Sequence, residues 1–147
     1  MNIFTKFYPQ FQDVQINVIP YNNLYVAKCM VKKNGDYFIY KKNRLLNIIP
    51  TEIILTQKAI EEKEDKLYFI FIHECAHGIT PQVERKVKNK YVRIDHSRQF
   101  YNNFFNLLEI AFEHKLTKYK PKNIKELMQK DNRKENIKND YKIHSNK

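Results

Sequence analysis

Two histidines and a glutamate stand in the order H-E-x-x-H within the apolar stretch FIFIHECAHGIT, at His73, Glu74 and His77. Four residues apart on a helix, His73 and His77 share a face, and their imidazoles can converge on one ion. Glu74 follows the first of them and reaches the coordination position left for water. With zinc as the ion, that water is acidified and a scissile carbonyl is polarised. Glu74 then takes the proton and later delivers it to the leaving amine. Chance occurrence of the motif on a core helix is the bland alternative. Against it stands the cost of burying two histidines and a carboxylate without partners, several kcal/mol, which a metal resolves.

A tetrahedral site with one open position needs a third protein ligand. Three other histidines exist: His96, His114 and His144. His96 is preferred, because it opens a second helical stretch that can pack beside the motif. Glu109 and Glu113 are its rivals, as carboxylates from a second helix. His144 lies in the C-terminal segment, and His114 sits far down the second helix. Cys75 lies between the first two ligands, about 200° around the helix from their face, and reads as a small core residue. For stabilising the oxyanion, Tyr91, Tyr101 and His114 are open choices.

These residues need elements to position them. Residues 14–20 (VQINVIP) alternate apolar and polar as a strand does. Residues 24–31 and 36–40 are apolar runs flanking Asn34-Gly35, and so predict a hairpin. Residues 51–56 (TEIILT) predict another short strand, or alternatively a helix start capped by Thr51. The motif itself predicts a buried helix over 65–79, ended by Gly78 and Pro81. Residues 82–94 are charged and read as a loop with room for short structured pieces. A second long helix is expected over 95–116, capped by Asp95 or Ser97, with Phe100, Phe104, Leu107, Leu108, Ala111 and Phe112 at three- and four-residue spacing. After Pro121 the composition turns polar, with eight Lys/Arg against four Asp/Glu. Apart from a short helix at IKEL, this segment reads as a disordered basic tail. The domain reading is therefore a folded unit over 1–120 and a tail over 121–147.

The 147 residues suit one domain with a real core. Its net charge of +11 favours a polyanionic partner, or else records a Lys- and Asn-rich codon bias. Lys32, Lys33, Arg85, Lys86, Lys88, Lys90 and Arg93 form the basic surface that DNA would contact; a solvated charged loop is the plain alternative. Two cysteines, Cys29 and Cys75, are too few for a disulfide framework and predict free thiols. With no signal peptide and no long apolar run, an intracellular, non-membrane monomer acting on a protein or peptide is expected.

HECAH followed by DHSRQFYNNFFNLLEIA resembles the WLM metallopeptidase family, which is related to the SprT-like (Spartan) proteases. The resemblance spans about residues 50–117. His73, Glu74 and His77 match the first half of the family pattern; His96 and Phe100 match its H-x-x-x-F second half. Eighteen residues separate His77 from His96, a longer connection than the family's. The resemblance implies an α+β, compact zincin of the minigluzincin type, with a small antiparallel sheet packed on the HExxH helix and a second long helix. It also implies a zinc metallopeptidase in which His73, His77 and His96 hold Zn2+ and Glu74 is the catalytic base. Family members act on proteins crosslinked to DNA. A different class remains beside it: a basic nucleic-acid-binding module with a structural or non-catalytic metal site.

Overall fold

The computed structural model describes residues 2–137. Helix α1 (Asn2–Thr5) and a 3-10 turn (Pro9–Phe11) precede the first strand and bury Phe4 and Phe11 in the core. Strands β1 (Gln15–Ile19), β2 (Ala27–Lys33) and β5 (Ile48–Thr56) form a mixed sheet in the order β1-β5-β2. β1 runs parallel to β5, and β2 runs antiparallel to it. The alternation along β2 is what seats it. Ala27, Cys29 and Val31 face inward, while Lys28, Met30 and Lys32 are exposed.

The strand at 51–56 is longer than expected, beginning at Ile48 and running through Pro50. A proline in a central strand lacks a ladder donor. It is accommodated because pairing with β1 starts only at Glu52, and because the β2 register shifts at Met30/Val31, opposite Pro50.

The hairpin expected around Asn34-Gly35 does not form. β2 pairs with β5 instead, Lys33 opposite Ile48, and Gly35 (φ +104°) redirects the chain out of the sheet. The intervening residues build β3 (Phe38–Tyr40) and β4 (Asn43–Leu46), an antiparallel pair closed at Lys41-Lys42. The charged stretch 82–94 is not a loop. It forms β6 (Gln82–Val87) and β7 (Lys90–Ile94), joined by Lys88 and Asn89, both with positive φ. Two successive left-handed residues match the right-handed twist of a two-residue hairpin. Together these strands make a second, antiparallel sheet, β3-β4-β6-β7.

After a short α2 (Gln57–Ile60), helix α3 (Glu64–Gly78) lies across β2 and β5. Gly78 is its last residue, and there the helix and sheet come closest. A Cβ on Gly78 would stand 2.8 Å from Pro50 Cβ and 3.1 Å from Cys29 Sγ. This glycine therefore permits close approach rather than a left-handed helix end. Helix α4 (Arg98–Glu113) starts at Ser97, whose side chain accepts the Phe100 N–H. It packs on α3 through Phe100, Phe104, Leu107, Leu108 and Ala111, all fully buried, while Phe112 is largely exposed.

Residues 121–137 are not a disordered tail. Pro121 is buried, and helix α5 (Ile124–Ile137) packs on α4 with Leu127 fully enclosed. The Lys130 ammonium covers the Tyr119 ring at 3.7 Å. The rest of the expected tail, 138–147, lies outside the described residues. The fold is a compact α+β arrangement of two small sheets and several helices. No helix among the described residues is long and apolar enough to cross a membrane.

Candidate metal centre

His73 and His77 project from one face of α3, as their spacing requires, and His96 arrives from a different element. β7 ends at Ile94, so the hairpin delivers Asp95 and His96 directly to the start of α4. The three rings form a nearly equilateral group, with centroids 4.9, 5.1 and 5.1 Å apart. One potential ligand atom from each lies within 4.8 Å of the others, close enough to hold a metal ion. Phe100 stacks on His77 at 4.3 Å and also contacts His73 and His96, fixing the rings from below. The end of α3 is tied to α4: Asn103 donates to the Thr80 hydroxyl, which donates to the Ala76 carbonyl. Glu74 is partly buried, its carboxylate 3.9 Å from His73 Nε2, on the side where a ligand atom is needed.

The electrostatics favour a neutral imidazole at His77. Burial pushes His77 well below the ordinary histidine range, and the neighbouring His73, His96 and Arg93 push it further. Asp131 is buried to 1% exposure, and that burial alone would raise its pKa. The attraction and hydrogen bond from His73 outweigh it, with help from His96 and Tyr101, and hold the carboxyl at about 2. His73 Nδ1 lies 2.9 Å from Asp131 Oδ1, and the Tyr101 hydroxyl donates to Oδ2 at 2.9 Å. Burial, then Glu74, raises the Cys29 thiol to about 12; burial drives Cys75 far above its usual value. Both cysteines are free and protonated at neutral pH, so neither competes as a thiolate ligand.

Neither Glu109 nor Glu113 belongs to the three-residue cluster. Glu109 is partly buried on α4, and Glu113 is exposed. His114 is also exposed, at the C-terminal end of α4 beside the Ile110 carbonyl. His144 lies outside the described residues. Tyr101 is buried against Asp131, His114 is remote, and the Tyr91 ring is covered by the Arg44 guanidinium at 4.1 Å. Sequence reasoning missed Asp131. Its signal was present in Ile124, Leu127, Met128 and Asp131, an i, i+3, i+4, i+7 series whose last member is a carboxylate.

The basic residues are exposed but do not share one face. Pairing of Arg85 with Val92 and of Lys86 with Tyr91 sends alternate charges to opposite sides of the second sheet. Arg93 is paired with Asp95 (2.7 Å), and Arg44 with Glu84 (Nε at 2.7 Å). Only the base of the β6–β7 hairpin adjoins the histidines; its tip stands about 17 Å further out along the strands.

No family model matches the chain, and no solved structure does. It is 32% identical over 76 residues to Dynein heavy chain-like protein 2 of Plasmodium falciparum (isolate 3D7). That match takes in 50% of this chain but only 1% of the dynein-like protein.

Proposed function

We propose that this chain is a zinc-dependent metallopeptidase of zincin type, with His73, His77 and His96 as the metal ligands and Glu74 as the general base. The observation that carries this reading is the convergence of three imidazoles from two separate elements, with the Glu74 carboxylate beside them. The donor set fits the ion: three imidazoles, held by aromatic packing and a buried carboxylate, suit zinc. Among the described residues the cluster has three ligand residues, which leaves a position for water and substrate and argues against a closed structural site. When bound, zinc supplies Lewis acidity to that water and to the substrate carbonyl. Glu74 accepts the proton from the attacking water and passes it to the departing amine nitrogen.

β2 runs beside α3 at the edge of its sheet, and its outer backbone groups can pair with an extended peptide. Such pairing gives affinity with little demand on substrate sequence. Proteins bound or crosslinked to DNA are the proposed substrates, with the basic second sheet as the surface that meets the nucleic acid.

Metal analysis of purified protein tests the centre. One zinc per chain is expected, and metal-free protein after zinc-replete expression would leave the alternative of a basic nucleic-acid-binding module. Cleavage of a casein-type protein substrate should then be lost in Glu74→Gln at unchanged zinc content.

A further inference from the structure

We propose that Asp131 and Tyr101 are positioning residues of the metal centre: through Asp131, the C-terminal helix supplies the carboxylate that holds His73 in the orientation and tautomer a metal requires. The inference rests on the metal-centre reading above and adds a residue from a part of the chain that carries no ligand.

A carboxylate is rarely found this deeply buried unless each oxygen is engaged. Here each is engaged by a different helix. Oδ1 meets His73 Nδ1 of α3, and Oδ2 accepts from the Tyr101 hydroxyl of α4. An ionised carboxylate can only accept, so Nδ1 must carry the proton. The lone pair is then left on Nε2, which is the nitrogen that lies on the Glu74 side. A neutral imidazole with Nδ1–H bonded to a carboxylate is also a stronger electron donor at Nε2. Tyr101 fixes Asp131 in turn, and Leu127, one helical turn before it, anchors the helix in the core. The chain Tyr101–Asp131–His73 thus makes ligand orientation depend on α5 being docked.

A merely structural bridge would differ in one measurable way. It would cost stability but would not change how tightly the folded protein holds metal.

The test uses full-length protein, with zinc titrated against a competing chelator and cobalt substituted for zinc to read the visible spectrum of the site. Asp131→Asn keeps the shape and one acceptor oxygen but removes the charge. Zinc affinity should fall roughly tenfold to hundredfold, with a shifted cobalt band. Tyr101→Phe removes one hydroxyl and should lower affinity in the same direction by less. It decides the matter if Asp131→Asn does not fold. Affinity within twofold of wild type in the folded variant, with only the melting temperature lowered, overturns the proposal. Wild-type protein that takes up no zinc overturns the metal-centre reading and this one with it, and the same titration tells the two failures apart.

Discussion

At the scale of single residues, protons and the proposed metal would compete for three nitrogens. His77 is held well below its ordinary value of 6.5, so between that folded value and 6.5 the unfolded chain binds more protons. Stability of the metal-free protein should therefore fall as pH is lowered from 6.5, and zinc affinity should fall in the same window. Calorimetry of the metal-free protein from pH 7.5 to 5 checks the sign; a melting temperature that rises on acidification contradicts it. Asp131 works lower down. Its carboxyl, held at about 2 against an ordinary 3.8, contributes stability that is intact above 3.8 and lost as pH falls through 2. Glu74→Gln should cut turnover by roughly 10²- to 10⁴-fold, the usual share of a general base, with zinc retained. His96→Ala should instead lower zinc affinity by more than roughly 100-fold, exceeding the loss of an outer partner. That His73, His77 and His96 would come together was readable in the sequence, because coordination chemistry restricts residue type and, on a helix, spacing. For Asp131 the local series marks only a place on the apolar face of α5; its partners lie 58 and 30 positions away, so its role was not readable.

At the scale of elements, local periodicity and turn chemistry had different fates. Helix α4 declared itself through apolar spacing and a capping residue at Ser97, and α3 through its apolar run and the H-E-x-x-H motif. Helix α5 was hidden by its charge. Three apolar side chains, Ile124, Leu127 and Met128, suffice to dock it, although the helix as a whole is polar. Leu127→Ala should accordingly destabilise the protein by about 2–5 kcal/mol, measured by urea denaturation, and weaken zinc binding with it. Gly78→Ala carries a different load. The added methyl must displace Pro50 or Cys29, and a loss of about 1–3 kcal/mol is expected in the same assay. A variant as stable as wild type would mean that α3 and the first sheet yield to the added methyl without cost. The Asn34-Gly35 signal was genuine about a bend and silent about pairing, because a turn dipeptide says nothing of which strand follows. Lys88-Asn89 did close a hairpin, yet Arg85, Lys86, Lys90 and Arg93 masked its strands.

At the scale of the whole molecule, the chain carries a net charge of +11, and the second sheet stands out from the core that holds the histidines. Nucleic acid should bind with an affinity that falls linearly, on logarithmic axes, as salt rises. Replacing Lys86, Lys88 and Lys90 by Glu should flatten that slope without altering zinc content. A mobility-shift titration in which the triple variant matches wild type would remove the hairpin from the interface. Charge could be counted in advance, but its division between two faces depended on strand register, and register is long-range information. That same register has a consequence for how the centre tolerates change. His96 is delivered by the return strand of the β6–β7 hairpin, so the hairpin acts as a ruler anchored at Gln82. Residues added in equal number to both strands lengthen the ruler at its far tip and leave its zero mark in place. A single residue added to β7 alone must be absorbed as a bulge, or it carries His96 about 3.4 Å along the strand and turns it to the opposite side. Length in this connection is therefore free, while parity is not. An 18-residue gap between ligands can be as rigid as a short one.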